Sequence, residues 1–546
     1  MKSNNFLKNN FYFFLFTIYF LIGIFIVKDY GISVDEEFHR YSGFYWLNYI
    51  LEFTSFDNLK LEVNNKLMNI GGHTLPNPKN FPFYGVTFDL PLAFLETVFN
   101  IDGSRDYFLL RHYLNFCIFF LSSVFFFFIL KNRFENNHII LLGILLYLSS
   151  PRIFGDSFYN NKDIIFLSLV TINFYFFFKI IDNLNYKNLI FFSIFSALTC
   201  ATRVIGIFIP FSFIFMFLIS KNNTEKLLLF NTKILFIYIA TFFIILIFFW
   251  PYLWSNPPAN LITSLKIFSK YPAQFQMLFN GQYVDSRFLP LSYVPLWIII
   301  SIPITSLSLF LFGYYYLFKR FFKRLINIKQ KNVFNDFWRG KKEKKDFLFF
   351  LNFSLIFFYV ILSNTDLYNG WRHLYFLHVF IIYFACIGLF RLRLIFKKIK
   401  YFFLILLTLI SFNFFDIIRF HPFQGSYFNH FVQAERKNYF EVDYWGLAGT
   451  KFLNEIIINE PNKNIIKIGV ASYLPLERSL KMLDNNNSSI IEIVGQDYEN
   501  ADYIFNNDIS EVNKNFNTKY KIPNNFQLIN ELFVNGFMLY QVYKKN

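Results

Sequence analysis

Eleven runs of apolar sequence constrain this chain more than any other feature. They lie at about 10–27, 107–130, 138–150, 163–180, 188–201, 204–220, 232–250, 292–317, 346–363, 373–390 and 401–418. A helix needs about 20 apolar residues to cross the hydrocarbon core of a bilayer, and most of the runs approach that length. Hydrophobic residues make up 55% of the chain and charged residues 16%, against about 25% charged in an ordinary soluble domain. The fold class that follows is an all-α polytopic membrane protein with about 11 transmembrane helices. The first run follows Lys2 and Lys8 and has no small-residue cleavage site after it, so it reads as an uncleaved signal anchor. The 84 phenylalanines accompany abundant Ile, Asn and Lys. Compositional drift accounts for that combination, and Phe abundance alone points to no aromatic site.

A net charge of +16 would suit a nucleic-acid partner, but its distribution does not. The basic residues sit in short loops between apolar runs, where they orient a chain in the bilayer. With the N-terminus in the cytoplasm and the spans alternating, the inner loops hold Lys131 and Arg133, Lys179 and Lys187, and Lys221 and Lys226. They also hold the basic run 319–345 and the group Arg391, Arg393, Lys397, Lys398 and Lys400. The expected location is therefore the inner (cytoplasmic) membrane, multi-pass, with no nucleic-acid partner. The segments 28–106, 151–162, 251–291, 364–372 and everything after 418 then face outward. They carry most of the acids, prolines and tryptophans, which places the chemistry at the outer surface. Cys117, Cys200 and Cys386 lie inside apolar runs and suit buried small residues better than disulfides.

Two domains are expected: a membrane core, 1–418, with its outer loops, and an extracytoplasmic C-terminal α/β domain, 419–546. In the latter, 465–470, 490–494 and 501–505 are β-rich, and PLERSLKML suits an amphipathic helix. Asn535-Gly536 between apolar runs signals a hairpin.

Three polar clusters could carry chemistry. GISVDEEFHRYSG, 31–43, places Asp35, Glu36 and Glu37 directly after the first run. Carboxylates beside a bilayer are costly and usually have a function or a partner. One of them could take the proton of a hydroxyl nucleophile; capping of the following helix explains the same acids. SPRIFGDSFYNNKDIIF, 150–166, crowds Arg152, Asp156, Asn160, Lys162 and Asp163 into one short loop. Its cations suit a lipid phosphate, and Asp156 and Asp163 could ligate a divalent cation with the first loop. An ordinary polar turn has the same composition. Arg203, in ATRVIG, interrupts apolar sequence. NTDLYNGWRHLYF, 364–376, places Arg372, a candidate phosphate clamp, and His373 at the entry to a span, where aromatic anchoring at the interface would also explain the segment. WPYLWSNP, HPFQGSYFN and EVDYWG receive no role from physics alone. The chain has no Walker A or Rossmann fingerprint and no HExxH or Cys/His cluster.

Taken together, SVDEEFHRYSG, SPRIFGDSFYNNKDI, ATRVIG, WPYLW, YNGWRHLYF and HPFQGSYFN resemble the GT-C superfamily of membrane glycosyltransferases. The likeness is to the protein O-mannosyltransferase and aminoarabinose transferase branch, and in particular to bacterial dolichyl-phosphate-mannose-protein-mannosyltransferase-like members. It covers roughly residues 10–450. It implies a helical membrane core with its active site at the outer interface and a sugar donor on polyprenyl phosphate. It also implies inversion at the anomeric carbon, and a lipid, polysaccharide or protein as acceptor. It matches the presumed base to Asp35 or Glu36, with Asp35 favoured, and offers Arg203 or Arg372 for the donor phosphate, while leaving a divalent cation open. A transporter or flippase of lipid-linked saccharide would instead place charges inside several spans of matching halves. A non-catalytic scaffold would leave the first-loop acids unexplained.

Overall fold

The computed structural model describes residues 2–546 except 71–74, 220–231, 270–273, 327–336, 364, 397–398, 433–438 and 514–517. Each of the eleven apolar ranges carries a helix. After α1 (Lys2–Ile26), the segment 28–106 folds into α2 (Glu36–Leu51), α3 (Asp57–Asn69) and α4 (Asp89–Val98). There follow α5 (Ser104–Arg133), α6 (Asn137–Leu148), α7 (Pro151–Tyr159), α8 (Asp163–Asp182), α9 (Tyr186–Thr202), α10 (Phe208–Ile219), α11 (Thr232–Phe248) and α12 (Pro257–Ser269). A hairpin of β1 (Gln276–Phe279) and β2 (Gln282–Asp285) precedes α13 (Tyr293–Ser301), α14 (Ile304–Ile326), α15 (Lys341–Leu362), α16 (His378–Ile395) and α17 (Ile399–Arg419). Among the described residues six helices are long and apolar enough to cross a membrane, seven if the bent pair α6–α7 counts as one span. The chain is a multi-pass membrane protein. Of the residues expected in cytoplasmic loops, Lys221, Lys226, Lys397 and Lys398 lie outside the described residues, as does Asn364 of the segment 364–372.

Prolines break two of the expected elements. The helix at 138–150 bends by 58° into α7. Ser150, ahead of Pro151, is extended, as the proline ring demands of its predecessor. What reads as a polar loop at 151–162 is therefore largely a helix, and every residue of α7 is buried. The run 292–317 splits between α13 and α14, at Pro303, which has no N–H to continue the ladder.

The bundle packs around α16, in which every residue from His378 to Leu389 is buried. Helix α14 lies against it through two glycines. A Cβ at Gly313 would overlap the Phe384 carbonyl oxygen, and one at Gly388 would overlap that of Leu309. Small residues let helices in a bilayer approach closely, where packing and not hydrophobicity drives association. We expect Gly313→Val to destabilise the protein by about 1–3 kcal/mol through overpacking and to lower its melting temperature in detergent. Ser308→Val, on the exposed side of the same helix, should leave it unchanged; equal melting for the two variants would disprove the close contact.

At the ends of α5 and α8 remote from Asp163, the basic residues are not all solvated. Buried Asp346 accepts from Arg133 Nε at 2.6 Å, Arg320 Nη2 at 3.1 Å and the Tyr383 hydroxyl at 2.7 Å. Lys345 pairs with Asp182.

The C-terminal segment forms α18 (Gly449–Asn459) and a five-stranded sheet of β3 (Ile466–Val470), β4 (Ile491–Gly495), β5 (Tyr503–Asn506), β6 (Phe526–Val534) and β7 (Phe537–Lys545), in the order β4-β3-β5-β7-β6. Strand β3 is parallel to β4 and β5, while β7 is antiparallel to β5 and β6. The expected hairpin is present: Asn535 and Gly536 have φ of 51° and 80°, the left-handed pair that a two-residue turn requires. The expected amphipathic helix shrinks to one turn, Glu477–Leu480.

Candidate active site

Asp35 occupies the N-cap position of α2, yet its side chain caps nothing. The carboxylate instead accepts from Arg372 Nη1 at 2.6 Å. Glu36 is the acid that serves the helix start. It accepts from the Ser33 amide at 2.6 Å, lies 2.7 Å from His112 Nε2, and has a fully buried side chain. Of the two acids expected to act as base, Glu36 is thus committed to local structure, whereas the Asp35 side chain keeps 38% of its surface exposed. Burial alone would raise the Asp35 carboxyl, but the Arg372 guanidinium and His39 outweigh it and hold it below the usual carboxylate range. Glu37 faces the C-terminal segment and pairs with Arg478 at 3.1 Å and with Lys481.

Arg372 begins a 3-10 turn, Arg372–Leu377, that leads into α16. Ahead of it Asn369 and Gly370 have φ of 55° and 73°, a tight turn that brings Arg372 back over the first loop. Its guanidinium lies 4.9 Å from the Tyr368 ring and 4.6 Å from that of Trp445. EVDYWG presents this Trp445. Asp443 accepts from the Leu447 and Ala448 amides, both at 3.0 Å, and the Trp445 carbonyl accepts from the Val34 amide at 3.0 Å.

Helix α9 stops at Thr202, and Arg203 is extended. Gly206 allows that break, since a Cβ there would meet the Thr199 backbone at 2.8 Å. Arg203 pairs with Asp163, the first residue of α8. Asn160 accepts from the Asp163 amide at 2.9 Å and donates both to Asp163 at 3.1 Å and to Asp156 at 2.9 Å. Asp156 also accepts from the Tyr159 hydroxyl at 2.7 Å. Lys162 lies 4.0 Å from Asp89 and 4.4 Å from the Tyr84 ring; burial pushes its ammonium down to about 8. WPYLW supports Tyr84 from behind, the Trp250 indole donating to the Pro82 carbonyl at 3.0 Å. Gly85 lets this segment meet α9, its amide bonding to the Ala201 carbonyl at 2.8 Å.

Tyr84, Arg203, Tyr368 and His373 help to wall a cavity of about 550 Å³, its open mouth included, and the Asp35–Arg372 pair stands beside it through the contact of Arg372 with Tyr368. Two buried guanidinium donors beside it, Arg203 Nε and Arg372 Nε, lack partners, as does His373 Nδ1, which donates or accepts according to the tautomer. Buried polar groups are nearly always paired, so this concentration marks a place for an acceptor-rich ligand. The structure thus brings Asp35, Lys162, Asp163, Arg203, Arg372 and His373 together, with Asp156 linked to Asp163 through Asn160. Arg152 stands apart from this group, against Tyr427 and Phe428. That guanidinium donates to the Tyr427 carbonyl at 2.7 Å and lies 4.6 Å from the Phe428 ring. The acids form no metal-ligand set: among the described residues no group of three His, Cys, Asp or Glu could hold a metal ion, and Asp163 and Asp156 are held by Arg203, Asn160 and Tyr159.

Comparison with known proteins agrees with the motifs. Residues 95–254 match the family model of dolichyl-phosphate-mannose-protein mannosyltransferases. The mannosyltransferase resemblance therefore holds over that segment, which includes Arg152, Lys162, Asp163 and Arg203, and it supports a membrane glycosyltransferase. No curated protein sequence matches the chain. Solved structures similar to it include ArnT from Cupriavidus metallidurans bound to undecaprenyl phosphate, at 11% identity and a TM-score of 0.42, covering 88% of this chain and 76% of that one.

Sequence reasoning missed Tyr84, Tyr368, Trp445, Asp89 and His39. Tyr368 and Trp445 stand in segments already singled out, but nothing local shows that a tryptophan 73 positions from Arg372 stacks on it. Asp89, whose carboxylate lies 3.3 Å from His39 Nδ1, carried one usable signal: an acid in the apolar setting FDLPL.

Proposed function

We propose that the protein transfers a sugar from a polyprenyl-phosphate donor to a hydroxyl acceptor on the outer face of the cytoplasmic membrane, inverting the anomeric carbon. The observation that carries this reading is the Asp35–Arg372 pair beside a cavity with unpaired buried donors. The acceptor hydroxyl loses its proton to Asp35 as its oxygen attacks the anomeric carbon. The bond to the phosphate oxygen breaks, and the polyprenyl phosphate leaves with the electron pair. A phosphate leaving group needs cations more than it needs a proton, and Arg203, Arg372 and Lys162 supply them. Such fixed charge is often the largest single catalytic term. No step passes through a metal. The outward orientation rests on the basic runs, and the donor class on the family resemblance of residues 95–254.

The deciding experiment deletes the gene and profiles membrane lipids by mass spectrometry. Accumulation of one polyprenyl-phosphate sugar with loss of one glycoconjugate, both reversed by the wild-type gene, names the two substrates. An unchanged profile under several growth conditions would sink the proposal.

Lys162 adds a pH dependence. A cation with its proton affinity lowered to about 8 is charged below that pH and neutral above it, so donor capture weakens as pH rises through about 8. The profile of kcat/KM, which reports the free enzyme, should show that basic limb, and Lys162→Met should remove it. Persistence of the limb in the variant would assign it to another group.

A further inference from the structure

Asp35 does little to fix its own position. Its side chain caps nothing and keeps 38% of its surface exposed, and one ion pair in contact with water holds a side chain only loosely. Catalytic groups must be held within about 0.5 Å of their working geometry, so the backbone around Asp35 has to be fixed from elsewhere. The C-terminal segment does this on both sides of the acid. Gly31 packs against the Leu447 carbonyl oxygen, which a Cβ there would approach to 2.6 Å. The Val34 amide donates to the Trp445 carbonyl at 3.0 Å. Beyond Asp35, the Glu37 carboxylate accepts from Arg478 Nε at 3.1 Å and pairs with Lys481. Burial would raise the Glu37 carboxyl, but Lys481 and Arg478 outweigh it and hold it below the usual carboxylate range, so this contact is ionic at neutral pH.

The stretch that makes these contacts is itself well tied. Gly446 has a φ of 73°, and the turn it makes is closed by Asp443, which accepts from the Leu447 and Ala448 amides. Arg478 and Lys481 stand three residues apart on and just after the turn Glu477–Leu480, a spacing that puts both on one face. A Cβ at Gly449, the first residue of α18, would overlap Ser479 Oγ, so the glycine lets that turn pack against the helix start. The Lys481 carbonyl accepts from the Ser104 hydroxyl at 2.9 Å, which anchors the turn to α5. Trp445 bears on both members of the catalytic pair. Its carbonyl holds the residue before Asp35, and its ring lies 4.6 Å from the Arg372 guanidinium.

We infer that the C-terminal segment completes the active site: Trp445 and the Glu37–Arg478–Lys481 group are positioning residues that hold Asp35 against Arg372. Because Trp445 touches both sides of the pair, a shift of this segment changes the distance between the acid and the guanidinium. The catalytic consequence rests on the transferase reading; the holding of the first loop does not.

The test follows full-length variants in nanodiscs by hydrogen–deuterium exchange of residues 31–40 and by turnover of the polyprenyl-phosphate sugar that accumulates in the deletion strain. The double variant Arg478→Met/Lys481→Met, which strips Glu37 of its partners, should speed that exchange about ten-fold. Trp445→Ala should do the same, and Trp445→Phe, which keeps a flat ring, should stay close to wild type. Arg105→Met removes an exposed contact of the same segment, with Asp484 at 2.7 Å, and should leave the exchange unchanged. Trp445→Ala should also lower kcat by about ten- to a hundred-fold with little change in KM for the donor. Asp35 feels Arg372, His39 and Arg478, and the Tyr84 and Tyr473 hydroxyls besides. A looser pair leaves burial less opposed, so the acidic limb of kcat/KM should move to higher pH although no charge has been removed. Wild-type exchange in the double variant would overturn the inference even if Trp445→Ala fails to fold, as would faster exchange with wild-type kcat and acidic limb. Faster exchange in the variants of a wild type that turns nothing over would confirm the holding of the first loop and sink the transferase proposal instead.

Discussion

Asp35→Asn should lower turnover by about 10²–10⁴-fold, the range that general-base catalysis contributes, while changing donor affinity far less. Asparagine keeps the size of the side chain and still offers an oxygen to Arg372 Nη1, now 2.6 Å from the carboxylate, so local structure should survive. What is lost is the ability to take a proton. Complementing the deletion strain with this variant and measuring the accumulated donor lipid gives the readout. Full restoration by a normally expressed variant would remove Asp35 from the mechanism. Glu36→Gln is the informative comparison. Its carboxylate holds the Ser33 amide and His112, so the defect expected there is in stability and expression, not in turnover of the folded protein.

Arg372→Met should be nearly as damaging, at about 10²–10³-fold in kcat, the cost of losing one preorganised charge at a developing anion. It should also move the pH profile. In the wild type Arg372 and His39 hold Asp35 below its usual range against the pull of burial. The base is therefore ionised above that depressed value, and the stability contributed by the pair is present above the unfolded carboxylate value, about 3.9, and lost as pH falls through the folded one. Without the guanidinium, burial dominates, and the acidic limb of kcat/KM should shift to higher pH. Arg372→Lys restores the charge but not the flat stack between Tyr368 and Trp445, so it should rescue the pH profile better than the rate. An unshifted acidic limb in Arg372→Met would show that the pair does not set the ionisation of Asp35.

The apolar runs, the C-terminal strands and the Asn535-Gly536 hairpin were legible because each is a local property. Run length, period-two alternation and turn chemistry are written into neighbouring residues. The breaks at Pro151 and Pro303 carried a local signal too, but a continuous apolar run outweighed it. The helices α2–α4 and the β1–β2 hairpin lay hidden in two long polar segments, 28–106 and 251–291, although Asn280-Gly281 marked the turn of the hairpin.

The candidate site divides along the same line. Residue type alone singled out Asp35, Arg203 and Arg372, because a charge beside or within apolar sequence is costly and needs a reason. Which acid meets which cation was decided only by the tertiary structure. Asp35 and Arg372 are 337 positions apart, and Glu36, one residue from Asp35, turns to the opposite side to meet His112. Adjacent residues of a helix start point in different directions, and no local pattern says which direction holds the partner. The sequence by itself determined a helical membrane protein with a C-terminal sheet and a set of charges that had to be satisfied. The packing of distant segments determined how they are satisfied, because burying a charge is tolerable only where another segment brings a counter-charge to it.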